Sequence, residues 1–229
     1  MTRKTMLEAA ARAPKAPIYG IGVCPSGDGF IDYEIGWDDF ERDVAWAHEQ
    51  LLAAGVNGDD HVLITMTNHE GPWLSPVVRA LRKIGATYTP AETYNWDSAR
   101  FLSVLDRLPI TVVIGLGGET LGSLQAQNPD LGALFEKVRV IWARPDAHRE
   151  LVAAGVNATL MALLGPAFGL AQPGDPGVLR VNGAEWAIRD SGGELVVSTA
   201  DARTARIADA LTGVHGRVTT DGDTLLIEL

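Results

Sequence analysis

The chain has 229 residues, of which 46% are apolar and 21% charged, and a formal net charge of −10. This is the composition of an ordinary globular protein, and the negative charge argues against nucleic acid or an anionic membrane as the main partner. Cys24 is the single cysteine, which excludes an internal disulfide and a cysteine-based metal site and fits a cytoplasmic location.

A glycine-rich segment at residues 22–32 is the first distinctive feature. It follows an N-terminal segment, residues 1–19, that lacks an apolar core like that of a signal peptide. We interpret the glycine-rich segment as a loop. It contains Asp28 and Asp32 but neither Lys nor Arg, and because like charges repel, we expect it not to hold phosphate.

Helical and strand-like apolar patterns alternate through the middle of the chain. The predicted helices cover residues 37–55, 72–85, 97–108, 131–137 and 145–154. The predicted strands cover residues 61–67, 86–90, 111–115, 138–142 and 157–164. Alternating helices and buried strands with short connections predict an α/β fold with a mainly parallel sheet flanked by helices.

The pattern changes after residue 165, where turn clusters rich in Gly and Pro lead into short alternating segments. Strands are predicted at residues 178–181, 185–189, 194–199 and 224–228. We therefore predict a small, β-rich antiparallel subdomain at residues 171–229, after an α/β domain at residues 20–170. The predicted subdomain is too short to make more than a marginal core alone.

His69 and Glu70 directly follow the strand predicted at residues 61–67. Ligands of parallel sheets bind at this carboxyl edge, so His69 could act as an acid or base while Glu70 orients it. Both are candidate catalytic residues. The alternative is that the two side chains cap the helix that follows.

Aromatic residues cluster in the sequence near the same predicted edge. Trp73, Tyr94 and Trp96 are candidate substrate-binding residues, because together they could line an apolar pocket for an aryl or acyl group. The alternative is that each ring is an ordinary part of the core.

Cys24 is a further candidate substrate-binding residue. A thiol in the glycine-rich segment could accept an acyl group if its pKa were lowered. The alternative is a structural role, since the charged neighbours in the sequence are acidic and favour the neutral thiol. The histidines show no metal-ligand spacing such as HExxH, so we expect neither a metal nor another cofactor.

Two stretches of the sequence carry recognisable motifs. The stronger includes a helix that ends Leu-Ala-Ala-Gly-Val-Asn-Gly-Asp-Asp-His at residues 52–61, an apolar strand, and a helix that ends Lys-Ile-Gly-Ala-Thr-Tyr-Thr-Pro at residues 83–90. The second comprises Gly-Val-Leu-Arg-Val-Asn at residues 177–182, Trp186, and Gly-Glu-Leu-Val-Val-Ser-Thr at residues 193–199.

This order of motifs resembles the adenylate-forming superfamily, most closely its phenylacetate–CoA ligase-like branch. The resemblance extends from about residue 22 to about residue 218. It implies the α/β fold predicted above and an ancestral activity in which a carboxylic acid is activated with ATP.

The motifs that bind ATP in that superfamily are altered here. The phosphate loop corresponds to residues 26–29, Ser-Gly-Asp-Gly, without its lysine. The acid near the metal and adenylate should fall in residues 163–170, which contain no acid, and the ribose-binding Asp corresponds to Val214. The family would continue beyond Leu229 into a mobile lid. We therefore expect ATP-driven adenylation to be lost.

Two hypotheses for the function follow. The first is a catalytically degenerate homologue of an acyl- or aryl-CoA ligase that binds a small carboxylic acid, an acyl thioester or a partner enzyme, as a homodimer or in a complex with another biosynthetic enzyme. The second is an ATP-independent acyl or aryl transferase that uses His69 and Glu70 on a ready-made thioester. A regulator of unrelated ancestry is a third alternative. No run of about 18 apolar residues is present, so no membrane span is expected.

Overall fold

The computed structural model describes residues 17–229, so most of the predicted N-terminal segment lies outside the described residues. The strands are β1 (Gly20–Ser26), β2 (Gly29–Ile35), β3 (His61–Thr65), β4 (Thr87–Ala91), β5 (Val112–Leu116), β6 (Val140–Ala143), β7 (Thr159–Leu164), β8 (Ala167–Gln172), β9 (Asp175–Asn182), β10 (Trp186–Ser191), β11 (Glu194–Thr199), β12 (Ala210–His215), β13 (Arg217–Asp221) and β14 (Thr224–Glu228). The helices are α1 (Trp37–Ala53), α2 (Gly71–Ile84), α3 (Ser98–Arg107), α4 (Gly118–Gln127), α5 (Leu131–Leu134) and α6 (Pro145–Ala153), with short 3-10 turns at Asn68–Glu70 and Asn95–Asp97.

Nine strands form one mixed sheet in the order β13-β14-β9-β8-β7-β6-β5-β3-β4. The five strands from β7 to β4 run parallel, and the pairs from β7 to β13 run antiparallel. The remaining strands form the β1–β2 hairpin and a small antiparallel sheet, β10-β11-β12. The predicted fold class, α/β with a small antiparallel part towards the C-terminus, is confirmed.

The parallel strands are covered on both faces, which explains their continuous apolar sequences. Val62 and Ile64 of β3 pack into one core with α1 and α2, whereas Leu63, between them, packs into a second core with α3, α4 and α6. A third core joins β7, β8 and β9 to the small sheet, with Leu179 and Trp186 among its members. This third core covers one face of β7 and β8, whereas Met161 and Leu170 of the same strands pack into the core that contains α1 and α2.

Three local predictions need correction. Residues 22–32 form the β1–β2 hairpin rather than a loop, with Ser26 paired with Gly29 across a two-residue turn. The sequence did not indicate α4, because its two glycines disfavour a helix and its apolar residues follow the helical spacing only weakly. The helix predicted at residues 131–137 is a single turn, α5.

The main sheet continues past residue 170, because β8 pairs on one side with β7 and on the other with β9. Residues 171–229 therefore contribute to two sheets. The domain boundaries at residues 20–170 and 171–229 remain a prediction. Within the described part of the chain, no helix combines the length and apolar character needed to cross a membrane.

Candidate functional site

A pocket lies where the hairpin, α1, α2 and the C-terminal strands meet. Its aromatic lining residues are Tyr33, Trp46, Trp73, Phe168 and Trp186, and its polar lining residues are Asp43, Asn182 and Arg203. These residues come from six separate elements and one loop. Aromatic walls with a few polar groups are typical of sites for small molecules.

The pocket is almost closed. The space that admits the centre of a water molecule is about 30 Å³, room for about two or three waters. Trp46 and Phe168 are half-buried, and their rings meet edge to face with centroids 6.1 Å apart. Because the free space is small, side chains of the wall have to move before a group larger than a few atoms can enter.

A buried ion-pair network forms the polar side of the pocket. Arg203 donates hydrogen bonds to both carboxylate oxygens of Asp43, each at 2.9 Å, and to Glu185 at 3.0 Å. Its guanidinium lies 4.1 Å from the centre of the Trp186 ring. Burial raises the pKa of Asp43, and the Arg203 guanidinium offsets this rise only in part. Arg203 is therefore paired with two carboxylates before any ligand arrives.

The network includes two further residues of α1, Asp39 and Arg42, besides Asp43. Arg42 donates to Glu185 at 2.6 Å and to Asp39 at 2.7 Å. With Asp43 and Arg203, the cluster holds three carboxylates and two guanidinium groups, so its formal charge is one negative unit. Because the cluster lies next to an apolar wall, its net negative charge disfavours binding of a free anion, whereas it does not oppose binding of a neutral ligand.

Trp73 is the one sequence-predicted site residue that lines this pocket. Its side chain is 6% exposed, and its Nε1 has no hydrogen-bond partner among the described residues. Trp73 lies in the first turn of α2, where Pro72 fixes the start of the helix.

Tyr94 and Trp96 lie elsewhere, just before α3. Their rings stack on each other with centroids 6.1 Å apart, and Trp96 is 68% exposed. Neither residue lines the pocket that contains Trp73. Their role in binding a substrate remains a prediction that the geometry of the pocket does not support.

Cys24 is completely buried in the hairpin and packs into the core that contains Tyr33 and Val44. It does not line the pocket. Burial raises the pKa of the Cys24 thiol, so the neutral form is favoured, as the sequence indicated for a different reason. This environment is unlike that of an activated thiolate.

His69 and Glu70 both contact Thr67, and Glu70 also pairs with Arg144. Glu70 is buried, accepts a hydrogen bond from the backbone N–H of Thr67 at 2.7 Å, and forms an ion pair with Arg144 at 2.5 Å. Burial alone would raise the pKa of Glu70, but the hydrogen bond and charge of Arg144 hold it below its ordinary value. His69 is exposed, and its Nδ1 lies 3.0 Å from the Thr67 hydroxyl. The catalytic role of the two residues remains a prediction, while the contacts of Glu70 are those of a helix cap.

Several pocket residues were not identified as site residues from the sequence. Trp186 lies in the second motif stretch, but Tyr33, Phe168 and Arg203 carry no local signal, because their partners are far away along the chain. Among residues 17–229, no group of three or more His, Cys, Asp or Glu side chains is arranged to hold a metal ion.

No family model and no curated protein matches the chain. Among solved structures, an open conformation of 2-hydroxyisobutyryl-CoA ligase in complex with 2-HIB-AMP and CoA superposes with a TM-score of 0.65 at 15% identity over 99% of this chain and 61% of that one. The same ligase in its postadenylation state gives a TM-score of 0.67 at 12% identity, covering 99% and 55% of the two chains. ATP-bound MatB from Rhodopseudomonas palustris gives 0.59 at 14% identity, covering 97% and 52%.

The chain thus spans between about half and three fifths of the length of these structures. At this level of identity the likeness concerns the fold. The fold of this chain is similar to that of the matched part of these structures, and this is the fold that the sequence resemblance implied.

Proposed function

We propose that this chain binds a short acyl group, as a neutral thioester or ester, in the pocket lined by Trp46, Trp73 and Trp186, and that it does not adenylate an acid by itself. The observation that carries the proposal is the composition of the pocket: aromatic walls beside an arginine that already pairs with two carboxylates.

The aromatic wall of the pocket favours binding of an apolar group. Five of the lining side chains are aromatic, and burying apolar surface against them stabilises a complex by about 25 cal/mol per Å². The narrow space favours a group of a few heavy atoms, such as an acetyl or isobutyryl group. The neighbour 2-hydroxyisobutyryl-CoA ligase is complexed with a short, branched acyl-adenylate, which supports the same size class.

The charge of the pocket supports a neutral ligand over a free carboxylate. Both guanidinium groups of the network are paired with carboxylates, and the network is negative overall. A bound carboxylate would lose its hydration without gaining a free cation, whereas the carbonyl of a thioester carries no net charge.

The hairpin supports the loss of adenylation. Residues 22–32 are extended in the β1–β2 hairpin, so their backbone does not curve into an open ring of N–H groups for phosphate. Neither lysine of the described chain lines the pocket. Lys83, near the end of α2, pairs with Glu41 of α1 at 3.2 Å, and Lys137 follows α5.

Self-association or a complex with another enzyme forms a second part of the proposal. The outer face of the hairpin exposes Ile21, Val23 and Phe30, the last of which is 77% exposed. Exposed apolar patches on soluble domains often become interfaces. Light scattering over a wide concentration range tests this part: we expect dimers that Phe30→Ser weakens, and a monomer at every concentration would contradict it.

The binding proposal is tested by thermal unfolding with acetyl, isobutyryl and benzoyl thioesters of N-acetylcysteamine, the free acids, coenzyme A, AMP and ATP with Mg²⁺. A thioester at a hundred times its Kd should stabilise the fold by about 2.7 kcal/mol, which raises Tm by several degrees. The free acids, AMP and ATP should have no effect.

Two tryptophan variants provide the matched comparison. Trp46→Ala opens the pocket wall and should weaken thioester binding, whereas Trp96→Ala removes an exposed ring outside the pocket and should not. A stabilising effect of ATP or AMP would contradict the loss of adenylation. The absence of any thioester effect would contradict acyl binding.

A further inference from the structure

The indole N–H of Trp73 is a buried hydrogen-bond donor without an acceptor. The Nε1 atom is shielded from solvent, and none of the described residues accepts a hydrogen bond from it. Trp142 shows the usual arrangement, because its equally buried Nε1 donates to the backbone oxygen of Ala171 at 2.9 Å. Buried donors are almost always paired in folded proteins, so the unpaired Trp73 N–H requires an explanation.

The location of Trp73 supplies the explanation. Its ring is part of the pocket wall, together with Tyr33 and Trp186. The other buried polar side-chain atoms without a partner in the described chain belong to residues outside this pocket, namely Thr120, Arg144, His148 and Gln172. Trp73 Nε1 is shielded from the pocket as it stands, so an acceptor can come from an occupant of the pocket once the wall has opened around it.

We infer that Trp73 Nε1 donates a hydrogen bond to the carbonyl oxygen of the bound acyl group, and so selects carbonyl compounds over ligands of the same shape that lack the oxygen. This inference rests on the proposed function. A carbonyl oxygen suits the donor because it accepts hydrogen bonds and carries no net charge beside Asp43. A site that leaves a buried donor unpaired rejects a ligand that cannot satisfy it.

The test uses two ligands that differ at one group. Isobutyryl-N-acetylcysteamine thioester has the carbonyl oxygen, and the isobutyl thioether of N-acetylcysteamine has a CH₂ group in its place. Isothermal titration of the full chain should show the thioester binding about fivefold more tightly than the thioether, the effect of one neutral hydrogen bond.

The variant Trp73→Phe keeps an aromatic ring and removes the N–H. We expect it to weaken thioester binding about fivefold and to leave thioether binding unchanged, so that the preference disappears. Trp186→Phe is the matched control in the same wall and should change the affinity for both ligands by the same factor. Equal binding of the two ligands to the unmodified chain, or a preference that survives in Trp73→Phe, would overturn the inference.

A second measurement uses the unmodified chain, so its result does not depend on whether Trp73→Phe folds. In a sample labelled with ¹⁵N-tryptophan, the Trp73 Nε1–H resonance should move downfield with the thioester and not with the thioether. If neither ligand binds, the proposed function fails together with this inference. If both bind and the resonance does not distinguish them, the acyl site stands and Trp73 is not its donor.

Discussion

Arg203 forms a two-pronged ion pair with Asp43, with both N–O distances at 2.9 Å, across 160 residues of sequence. The pair ties the loop after β11 to α1 and closes the polar side of the pocket. Arg203 is 5% exposed, so its charge depends on Asp43 and Glu185 for compensation. The same contact that stabilises the fold therefore makes the arginine unavailable to an anionic ligand.

Arg203→Met should reduce the free energy of unfolding by about 3–5 kcal/mol, because it leaves the Asp43 carboxylate without its buried partner and Glu185 with Arg42 alone. Urea unfolding measures the change. Arg206→Met is the matched control: Arg206 pairs with Asp201 at 3.1 Å on the surface, where both side chains are exposed. The control should change stability by less than about 0.5 kcal/mol. Equal effects of the two substitutions would contradict the role of the buried network.

Gly115→Ala should be strongly destabilising, by about 3 kcal/mol or more. Gly115 has φ +93°, and an added Cβ would come within 2.3 Å of the backbone oxygen of Thr65 on the neighbouring strand. Gly122→Ala is its counterpart, since nothing lies within 4 Å of the added Cβ in α4. It should stabilise the protein by about 0.5–1 kcal/mol, because alanine favours the helix. Thermal unfolding should shift in opposite directions for the two variants.

Glu70→Ala should cost about 2–4 kcal/mol of stability, because it removes the cap on Thr67 and leaves Arg144 without its carboxylate. His69→Ala removes an exposed side chain and should leave Tm nearly unchanged. Chemical denaturation of both variants tests this difference. A His69→Ala variant as unstable as Glu70→Ala would show that the imidazole, too, serves the helix cap.

Acidification should destabilise the protein partly through Asp60. Burial acts to raise the pKa of Asp60, but hydrogen bonds from Arg139, Thr111 and the backbone of Asn57 hold it below its ordinary value. A lowered pKa means that the contribution to stability is present above the unfolded-state value of about 3.9 and is lost as the pH falls through the folded-state value. Urea unfolding between about pH 2 and pH 6 should therefore give a shallower pH dependence for Asp60→Asn. If the free energy of unfolding changes with pH in the same way for the unmodified protein and for Asp60→Asn, Asp60 does not contribute to the acid sensitivity.

Cys24 should react slowly with a thiol reagent while the protein is folded. The side chain is completely buried, and burial raises the pKa of the thiol. Reaction then requires opening of the hairpin, so the native rate should be at least about tenfold lower than the rate in urea. A colorimetric thiol assay with and without urea measures both rates, and similar rates would place the thiol in an accessible, activated environment.

The parallel half of the fold was predictable because its signals are local. β3 and β5 are short runs of apolar residues, and Gly85, with φ +89°, ends α2 where the sequence predicted it. The hairpin was missed for the same reason: its glycines suggested a loop, whereas pairing between β1 and β2 depends on contacts with the rest of the chain. Tyr33 illustrates this, since its side chain is buried in the core that also contains Phe40 and Val44 of α1.

The candidate site was only partly predictable. Trp73 was identified because it follows the carboxyl end of a predicted strand, and it lines the pocket. Tyr94 and Trp96 met the same sequence criterion, but the chain places their rings outside the pocket, stacked on each other. Proximity in sequence to the sheet edge therefore does not tell which aromatic rings share a cavity.

The sequence by itself determined the α/β class, the alternation of helices with buried strands and the resemblance to adenylate-forming enzymes, because periodicity and turn residues act over a few positions. Only the tertiary structure decided that Trp73 shares a pocket with Trp186, and that Arg203 is committed to Asp43. These contacts join distant parts of the chain, and no local preference encodes which partner a buried charge or an indole N–H will find.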